Sequence, residues 1–302
     1  MVESWLGPFS NSTLFSTFSL ILGLVIGSFL NVVIFRLPLG MEKSWSVEVE
    51  QLLREWGHAK WANTLARERS DKSHLAAFGK RSACPKCQSV LGVRDNIPII
   101  SYLILKGRCR HCGSGISMRY PAVEMMTAIC FLLCALTFGP SLTAILGCCF
   151  AAILIALTFI DLDYQILPDE LTVSLLGLGL LASLLGPFAR PEDSILGAVL
   201  GFLSLWLIAG LYGKLRQMEV MGRGDFKLFG ALGAWLGWQA LPITLFLAAV
   251  LGILFSLATH AFSDRTLRSP LAFGPALSAA GFTMLLAGTP LTSWLRSLIS
   301  GI

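Results

Sequence analysis

Long apolar blocks separated by short polar segments dominate the sequence. The first block runs from about Thr13 to Phe35. Seven more follow at 121–139, 142–160, 171–187, 195–213, 226–239, 241–261 and 272–290. Most blocks reach the length of about 20 residues that a helix needs to cross a hydrocarbon layer of roughly 30 Å, although 226–239 is short for a span. The pattern predicts an all-α polytopic membrane protein with about eight transmembrane helices.

The amino-acid composition excludes several classes of protein. Of the 302 residues, 55% are hydrophobic and 14% are charged, whereas charged residues make up about 25% of an average soluble domain. A water-soluble enzyme, a disordered linker and a nucleic-acid-binding protein are therefore poor interpretations. We expect the lipid bilayer to surround most of the chain and no nucleic acid to be a partner.

Basic residues are concentrated in a few polar segments. Fifteen of the 23 Lys and Arg lie between Arg36 and Arg119, and a smaller group lies in 214–227. Since cytoplasmic loops carry an excess of positive charge, these segments are predicted to face the cytoplasm. The first apolar block has no Lys or Arg before it and is longer than the core of a cleavable signal peptide, so we expect a retained membrane helix.

This charge pattern divides the chain into three parts. Residues 1–36 are predicted to form the first transmembrane helix, and residues 37–120 a cytoplasmic segment. Residues 121–302 are predicted to form a seven-helix membrane domain. In this arrangement both termini lie on the periplasmic side, and the remaining basic loops return to the cytoplasm.

Four cysteines form two C-x-x-C pairs, Cys84 with Cys87 and Cys109 with Cys112, and 21 residues separate the pairs. Each pair turns two sulfurs toward one point, and two such turns complete the tetrahedron of a zinc site. Two disulfides are the alternative, but they rarely persist in the reducing cytoplasm. We therefore predict a zinc ion with a structural role, since four thiolate ligands leave no position for a water molecule.

Acidic residues lie at two places where apolar blocks end or begin. Asp161 and Asp163 end one block, and Asp225 opens another after Gly222 and Gly224. The chain crosses the membrane twice between Asp161 and Asp225, so both return to the same face. Acidic residues at the edge of the hydrocarbon are candidates for function. Two adjacent carboxyl groups share a proton and can activate a water molecule, as in aspartic proteases.

The residue pattern leaves several roles open. Asp161 and Asp163 are two positions apart and point to nearly opposite sides of a helix, so at most one of them faces Asp225. Asp225 is also a residue type that caps helices, and Asp169 is expected to be an N-cap because an apolar run follows it. Glu124 suits either the positive end of a helix dipole or a functional site.

The glycines before Asp225 have their own physical interpretation. Gly222 and Gly224 permit unusual backbone angles and the close approach of another chain. We therefore expect them to support a loop that carries a catalytic acid.

Together these residues resemble the bacterial type IV prepilin peptidases, an aspartic G-x-G-D family that also serves type II secretion. The G-x-G-D element and the D-x-D-x-x-x-L-P-D element that begins at Asp161 are the most specific parts of the resemblance. Other matching elements occur along the chain in the same order as in the family. They are Gly27–Asn31, Arg36–Pro38, the four cysteines, Asn96–Pro98, Ser101–Leu103, Arg119–Pro121, Glu124 and Phe273–Pro275.

The resemblance implies a bifunctional enzyme of the bacterial inner membrane. Such an enzyme cleaves the basic leader peptide of prepilins and pseudopilins at the cytoplasmic face and then N-methylates the new N-terminal residue with S-adenosylmethionine. The resemblance also implies that Asp161 and Asp225 form the catalytic pair. The sequence shows no nucleoside-binding fingerprint of the usual kind, so the cofactor is expected near segment 37–120 without named residues. Asp163, Asp169 and Glu219 are expected to attract the basic leader.

Two other functions account for part of the pattern. An intramembrane protease of the signal-peptide-peptidase kind shares the G-x-G-D element, but it lacks the cysteine array and the Leu167-Pro168-Asp169 element. A transporter is the second alternative, with the acids as a proton relay and the metal segment as a gate.

Overall fold

A computed structural model describes residues 12–72, 82–84, 86–186, 188–217, 221–262 and 272–300. Within these ranges the named elements are helices, accompanied by two isolated β-bridges. The α-helices are α1 Ser12–Glu55, α2 Ala59–Lys72, α3 Ile100–Ile104, α4 Arg119–Phe138, α5 Leu142–Tyr164, α6 Asp169–Leu185, α7 Pro191–Arg216, α8 Arg223–Leu236, α9 Leu241–Phe262 and α10 Gly274–Ser300.

The helices confirm the predicted all-α membrane class. In the part of the chain that the structure describes, five helices are long and apolar enough to cross a membrane: α1, α4, α5, α7 and α9, the last of which counts from Trp238. Helices α6 and α8 have 17 and 14 residues. The total of about eight spans stays a prediction.

The chain forms two compact units. The N-terminal unit is Leu24–Met126, and the C-terminal unit is Thr127–Ile302 together with the chain up to Gly23. The four cysteines belong to the N-terminal unit, whereas Asp161 and Asp225 belong to the C-terminal unit. Each candidate site is therefore built within one unit.

The first helix is longer than its apolar part. The sequence places the end of the first transmembrane helix at residue 36, but α1 continues through Pro38 to Glu55. A proline inside a helix removes one backbone donor and its ring clashes with the carbonyl group four residues earlier, so a helix that passes through it needs other support. The residues beyond it include strong helix formers and an i,i+4 ion pair between Glu50 and Arg54 at 2.9 Å, which favour continuation.

Helix α8 is held in the core of the C-terminal unit by close backbone contact with α7. Ten of its 14 residues are buried, including Phe229 and Trp235. A Cβ atom at Gly197 or Gly233 would overlap the carbonyl group of the other residue, so the two backbones meet without intervening side chains. Ser194 Oγ also donates a hydrogen bond to the Ala234 carbonyl oxygen at 2.6 Å. Burial and backbone contact fix a helix that is short for a membrane span.

A glycine sets the boundary between α8 and α9, which the apolar pattern places between the blocks 226–239 and 241–261. Gly237 has a φ of 79°, and a 3-10 turn over Trp238–Ala240 follows it. Trp238 Nε1 and Gln239 Nε2 donate hydrogen bonds to Asp193 Oδ1 at 3.0 and 2.8 Å. The turn is thereby anchored to the start of α7.

Candidate active site and metal centre

The four cysteines lie on two similar hairpins of the N-terminal unit. In one hairpin the Gln88 N–H donates to the Cys84 carbonyl oxygen at 2.8 Å, and in the other the Gly113 N–H donates to the Cys109 carbonyl oxygen at 2.9 Å. Gln88 and Gly113 both have positive φ angles, 56° and 68°. Isolated β-bridges close the hairpins at Ala83–Val90 and Arg108–Gly115.

The sulfur atoms of these hairpins have the spacing of a metal site. All four Sγ atoms lie within 4.8 Å of one another. The distance from Cys84 to Cys112 is 3.9 Å, and that from Cys87 to Cys109 is 4.0 Å. A tetrahedral ion with metal–sulfur bonds of about 2.3 Å separates its ligands by about 3.8 Å, whereas a disulfide needs about 2.05 Å. The thiols are unbridged, and their arrangement fits a four-coordinate metal ion.

Neighbouring donors prepare the thiols for this role. The backbone N–H groups of Cys87 and Lys86 lower the pKa of the Cys84 thiol to about 6, against the opposing effect of burial. Cys112 Sγ lies 3.1 Å from Ser114 Oγ, and this hydroxyl lowers the pKa of the Cys112 thiol. Since the thiolate is the form that binds metal, both effects favour coordination.

In the C-terminal unit, two of the predicted acids share one buried site. Asp161 lies near the end of α5 and is 6% exposed, and Asp225 lies in the first turn of α8 and is 8% exposed. The charge of Asp161 acts directly on Asp225. Asp163 is exposed on the other side of α5. The backbone therefore brings Asp161, and not Asp163, into the same site as Asp225.

The first amide of α10 orients Asp161. The Gly274 N–H donates a hydrogen bond to Asp161 Oδ2 at 3.0 Å. The N–H groups of a first helical turn have no partner within their own helix, so they are available for such a contact. A Cβ atom at Gly274 would lie 2.6 Å from the same oxygen. Only glycine permits this approach of the helix to the carboxylate.

Asp225 is held in a different environment. It is the third residue of α8, after the N-cap Gly222, and the Gly222 N–H supplies a hydrogen bond to its carboxyl group. Burial, followed by the negative charge of Asp161, raises the pKa of Asp225 to about 7, while the Gly222 hydrogen bond opposes this shift. Asp225 consequently keeps its proton in a large fraction of molecules near neutral pH.

Leu167 packs against the first turns of both α8 and α10, which carry Gly224 and Gly274. A Cβ atom at Gly224 would lie 2.7 Å from Leu167 Cβ, and one at Gly274 would lie 3.3 Å from Leu167 Cδ2. The nearest atom to a Cβ at Gly222 is Asp225 Oδ2 at 3.6 Å, an ordinary contact. Of the two glycines before Asp225, Gly224 is therefore the one whose lack of a side chain the packing requires.

Comparison with known proteins shows where this arrangement belongs. The model of the Bacterial Peptidase A24 N-terminal domain matches residues 21–138, and that of the Type IV leader peptidase family matches residues 148–257. A prepilin leader peptidase/N-methyltransferase of Aeromonas salmonicida strain A449 is 42% identical over 276 residues, which cover 91% of this chain and 92% of the relative. The chain belongs to the type IV leader peptidase family.

Relatives from other genera carry the same name. The prepilin leader peptidase/N-methyltransferase of Neisseria gonorrhoeae is 40% identical over 88% of each chain. That of Dickeya chrysanthemi is 44% identical over 87% of this chain and 89% of the relative. No solved structure matches the chain.

The structure contains an ion pair that the sequence analysis does not predict. Lys227 Nζ donates to both carboxylate oxygens of Asp169, at 2.6 and 2.8 Å. The prediction that Asp169 is an N-cap is wrong, because Pro168 holds that position and Asp169 is the first helical residue. Lys227 lies two residues after Asp225, but that spacing alone does not reveal its contact with Asp169.

The remaining predicted acids fall in different places. Glu124 is 8% exposed in the N-terminal unit and accepts a hydrogen bond from the Ile99 N–H at 2.8 Å. Glu219 lies outside the residues that the structure describes.

Proposed function

We propose that this protein is a membrane aspartic endopeptidase that cleaves the leader peptide of type IV prepilins and pseudopilins and N-methylates the new N-terminal residue. The named relatives, 40–44% identical over most of the chain, support both activities. The main structural support for the peptidase reaction is the burial of Asp161 and Asp225 in one site.

The environments of the two acids support different roles in hydrolysis. Asp161, which the Gly274 N–H orients, acts as the base that removes a proton from a water molecule. Asp225 holds a proton near neutral pH and donates it to the carbonyl oxygen of the scissile bond. The water oxygen bonds to the carbonyl carbon, the C–N bond then breaks, and a proton passes to the leaving amine.

The substrate class agrees with the charges of the site. The exposed Asp163 lies two residues from Asp161 and is suited to attract a basic leader. The carboxylate of Asp169, also expected to attract the leader, is bound by Lys227. The excess of basic residues in 37–120 supports an orientation in the bacterial inner membrane with this segment and the active site at the cytoplasmic face.

The metal and the methyl donor belong to the same proposal. Cys84, Cys87, Cys109 and Cys112 bind a zinc ion, which stabilises the fold of the hairpins. S-adenosylmethionine supplies the methyl group for the second reaction, in keeping with the methyltransferase name of the relatives.

Substitution of the acids tests the peptidase reaction. Asp161→Asn and Asp225→Asn should each leave a prepilin uncleaved in a membrane preparation, which gel mobility reveals, with normal amounts of enzyme. Asp163→Asn is the matched comparison: it should still cleave the prepilin, with a rise in KM at most, because its side chain is exposed outside the buried pair and is proposed only to attract the leader. Continued cleavage by both buried-site variants would refute the proposal.

A further inference from the structure

The N-terminal unit contains a buried carboxylate that hydrolysis by the acid pair does not use. Glu124 lies on α4 and is 8% exposed. Among the described residues, no Lys or Arg forms an ion pair with it. A buried carboxylate without a counter-charge is costly unless a cation or a proton compensates it. A ligand that brings a positive charge would supply this compensation.

Two donors fix the direction of this carboxylate. The Ile99 N–H donates to Glu124 Oε2 at 2.8 Å, and the Ser28 hydroxyl forms a second hydrogen bond with the carboxyl group. Ile99 has φ 59° and ψ −47°, a conformation that β-branched residues rarely adopt. The bond to Glu124 helps to hold this strained amide in place. The group is thus oriented within a rigid frame.

The metal hairpins contribute to that frame. Asp95, in the turn that precedes Ile99, pairs with Arg110 of the second hairpin at 2.7 Å. The other oxygen of Asp95 accepts a hydrogen bond from the Gly92 N–H at 3.2 Å. The loop that presents the Ile99 amide to Glu124 is consequently fastened to the hairpin that carries Cys109.

The other acids whose side chains the structure describes in this unit have conventional surroundings. Glu50 and Asp95 form ion pairs with arginines. Glu42, Glu48 and Glu55 are exposed on the polar half of α1. Glu124 alone among these residues combines burial with the lack of a basic partner.

We propose that Glu124 is the catalytic base of the N-methylation reaction. It binds the α-ammonium group that leader cleavage leaves on the product and accepts one of its protons. The amine lone pair then forms a bond to the methyl carbon of S-adenosylmethionine, and the bond from that carbon to sulfur breaks with its electrons remaining on sulfur. This role rests on the proposed function, because cleavage creates the amine.

A peptide with the mature N-terminal sequence of a prepilin is already cleaved, so its methylation tests the role of Glu124 separately from the peptidase reaction. In Glu124→Gln the rate of methylation at pH 7 should fall by about tenfold, because only about a tenth of a free α-amine with a pKa near 8 is unprotonated at that pH. The amide keeps the size of the side chain and can still accept the Ile99 bond. The rate should recover as the pH rises above about 8, where a free α-amine loses its proton without help. Glu48→Gln, at an exposed site, is the matched control.

Binding provides a readout that needs no methyl donor. The wild-type enzyme should bind this peptide about tenfold or more tightly than its N-acetylated form at pH 7, because only the free terminus carries a charge that Glu124 can pair with. In Glu124→Gln the two peptides should bind alike. If that variant does not fold, carbodiimide labelling of Glu124 in the wild-type enzyme, with protection by the free-terminus peptide alone, gives the same information.

Several results would overturn this role. Methylation by Glu124→Gln at the wild-type rate would do so, and so would a loss that is equal at pH 7 and pH 9. Equal wild-type affinity for the two peptides excludes a contact with the ammonium group. A pH-independent rise in the KM for S-adenosylmethionine would assign Glu124 to the methyl donor instead. Since the peptide is already cleaved, a failed protease assignment at Asp161 and Asp225 would leave these results unchanged.

Discussion

At the scale of single residues, the site depends on glycine positions where a side chain would not fit. The Gly274 amide reaches Asp161 because no Cβ atom stands between them, and Gly224 makes room for Leu167 in the same way. The two acids differ in their hydrogen bonds, since Asp161 accepts from the Gly274 amide and Asp225 from the Gly222 amide. These local differences make one carboxyl group suited to accept a proton and the other suited to donate one.

A methyl group at Gly274 tests this contact. In Gly274→Ala the new Cβ atom would lie 2.6 Å from Asp161 Oδ2, so the carboxylate has to move. We expect the rate of leader cleavage to fall by about 100-fold, since small displacements of a catalytic group have costs of that order. Gly177→Ala is the control, because no atom lies within 4 Å of its Cβ position. Initial rates with a purified prepilin decide the matter, and equal rates for both variants would contradict the role of the Gly274 amide.

The pKa of Asp225 predicts the direction of the pH dependence. Burial and the charge of Asp161 raise this pKa to about 7, and the proposed donor must be protonated. Cleavage should therefore decline as the pH rises through about 7. The measurement is kcat/KM for a prepilin between pH 5 and pH 9, with enzyme stability checked at each pH. A rate that stays constant up to pH 9 is incompatible with Asp225 as the proton donor.

At the scale of helices, the apolar pattern predicts most of the elements and misses the contacts between them. Helices α4 to α10 overlap the seven apolar blocks, because lipid and core both select apolar residues. The pattern does not show that α1 continues to Glu55, since polar helix formers leave no apolar signal. The positions of Leu167 and Lys227 depend on neighbours distant in the chain, so spacing alone does not reveal their contacts.

The backbone contact between α7 and α8 predicts an effect on stability. A methyl group at Gly233 would overlap the carbonyl group of Gly197, and neither backbone can move without separating the helices. We expect Gly233→Ala to lower the free energy of unfolding by about 1–3 kcal/mol, the range found for overpacked cores. Thermal unfolding in detergent measures the change. Gly210→Ala, in open space on α7, should have little effect, and equal melting temperatures for the two variants would argue against this packing.

At the scale of the whole molecule, the chain keeps its two sets of chemical groups in separate compact units. The cysteines and Glu124 belong to the N-terminal unit, and the acid pair belongs to the C-terminal unit. The sequence predicts both sets, because cysteine spacing and the G-x-G-D element are specific. It leaves the choice between Asp161 and Asp163 to family resemblance, since helical spacing shows only that the two diverge.

Removal of thiolate ligands tests whether the four cysteines bind a zinc ion. The double substitution Cys84→Ser and Cys109→Ser takes one thiolate from each hairpin, so bound zinc should be lost and the melting temperature should fall. Metal analysis of the purified protein and thermal unfolding report the two effects. Ser is close in size to Cys, so a loss of stability without a loss of zinc is not expected. One zinc ion per chain in the double variant would show that the assignment is wrong.

The central claim is that Asp161 and Asp225 act together on one water molecule. Groups that act as a unit have strongly non-additive effects on the rate. The most direct measurement is kcat/KM for prepilin cleavage by Asp161→Asn, Asp225→Asn and the double variant. The account predicts that each single substitution lowers kcat/KM by about 10⁴-fold or more and that the double variant is no slower than the singles. Single variants that keep cleavage within about tenfold of wild type, with losses that multiply in the double variant, would contradict it.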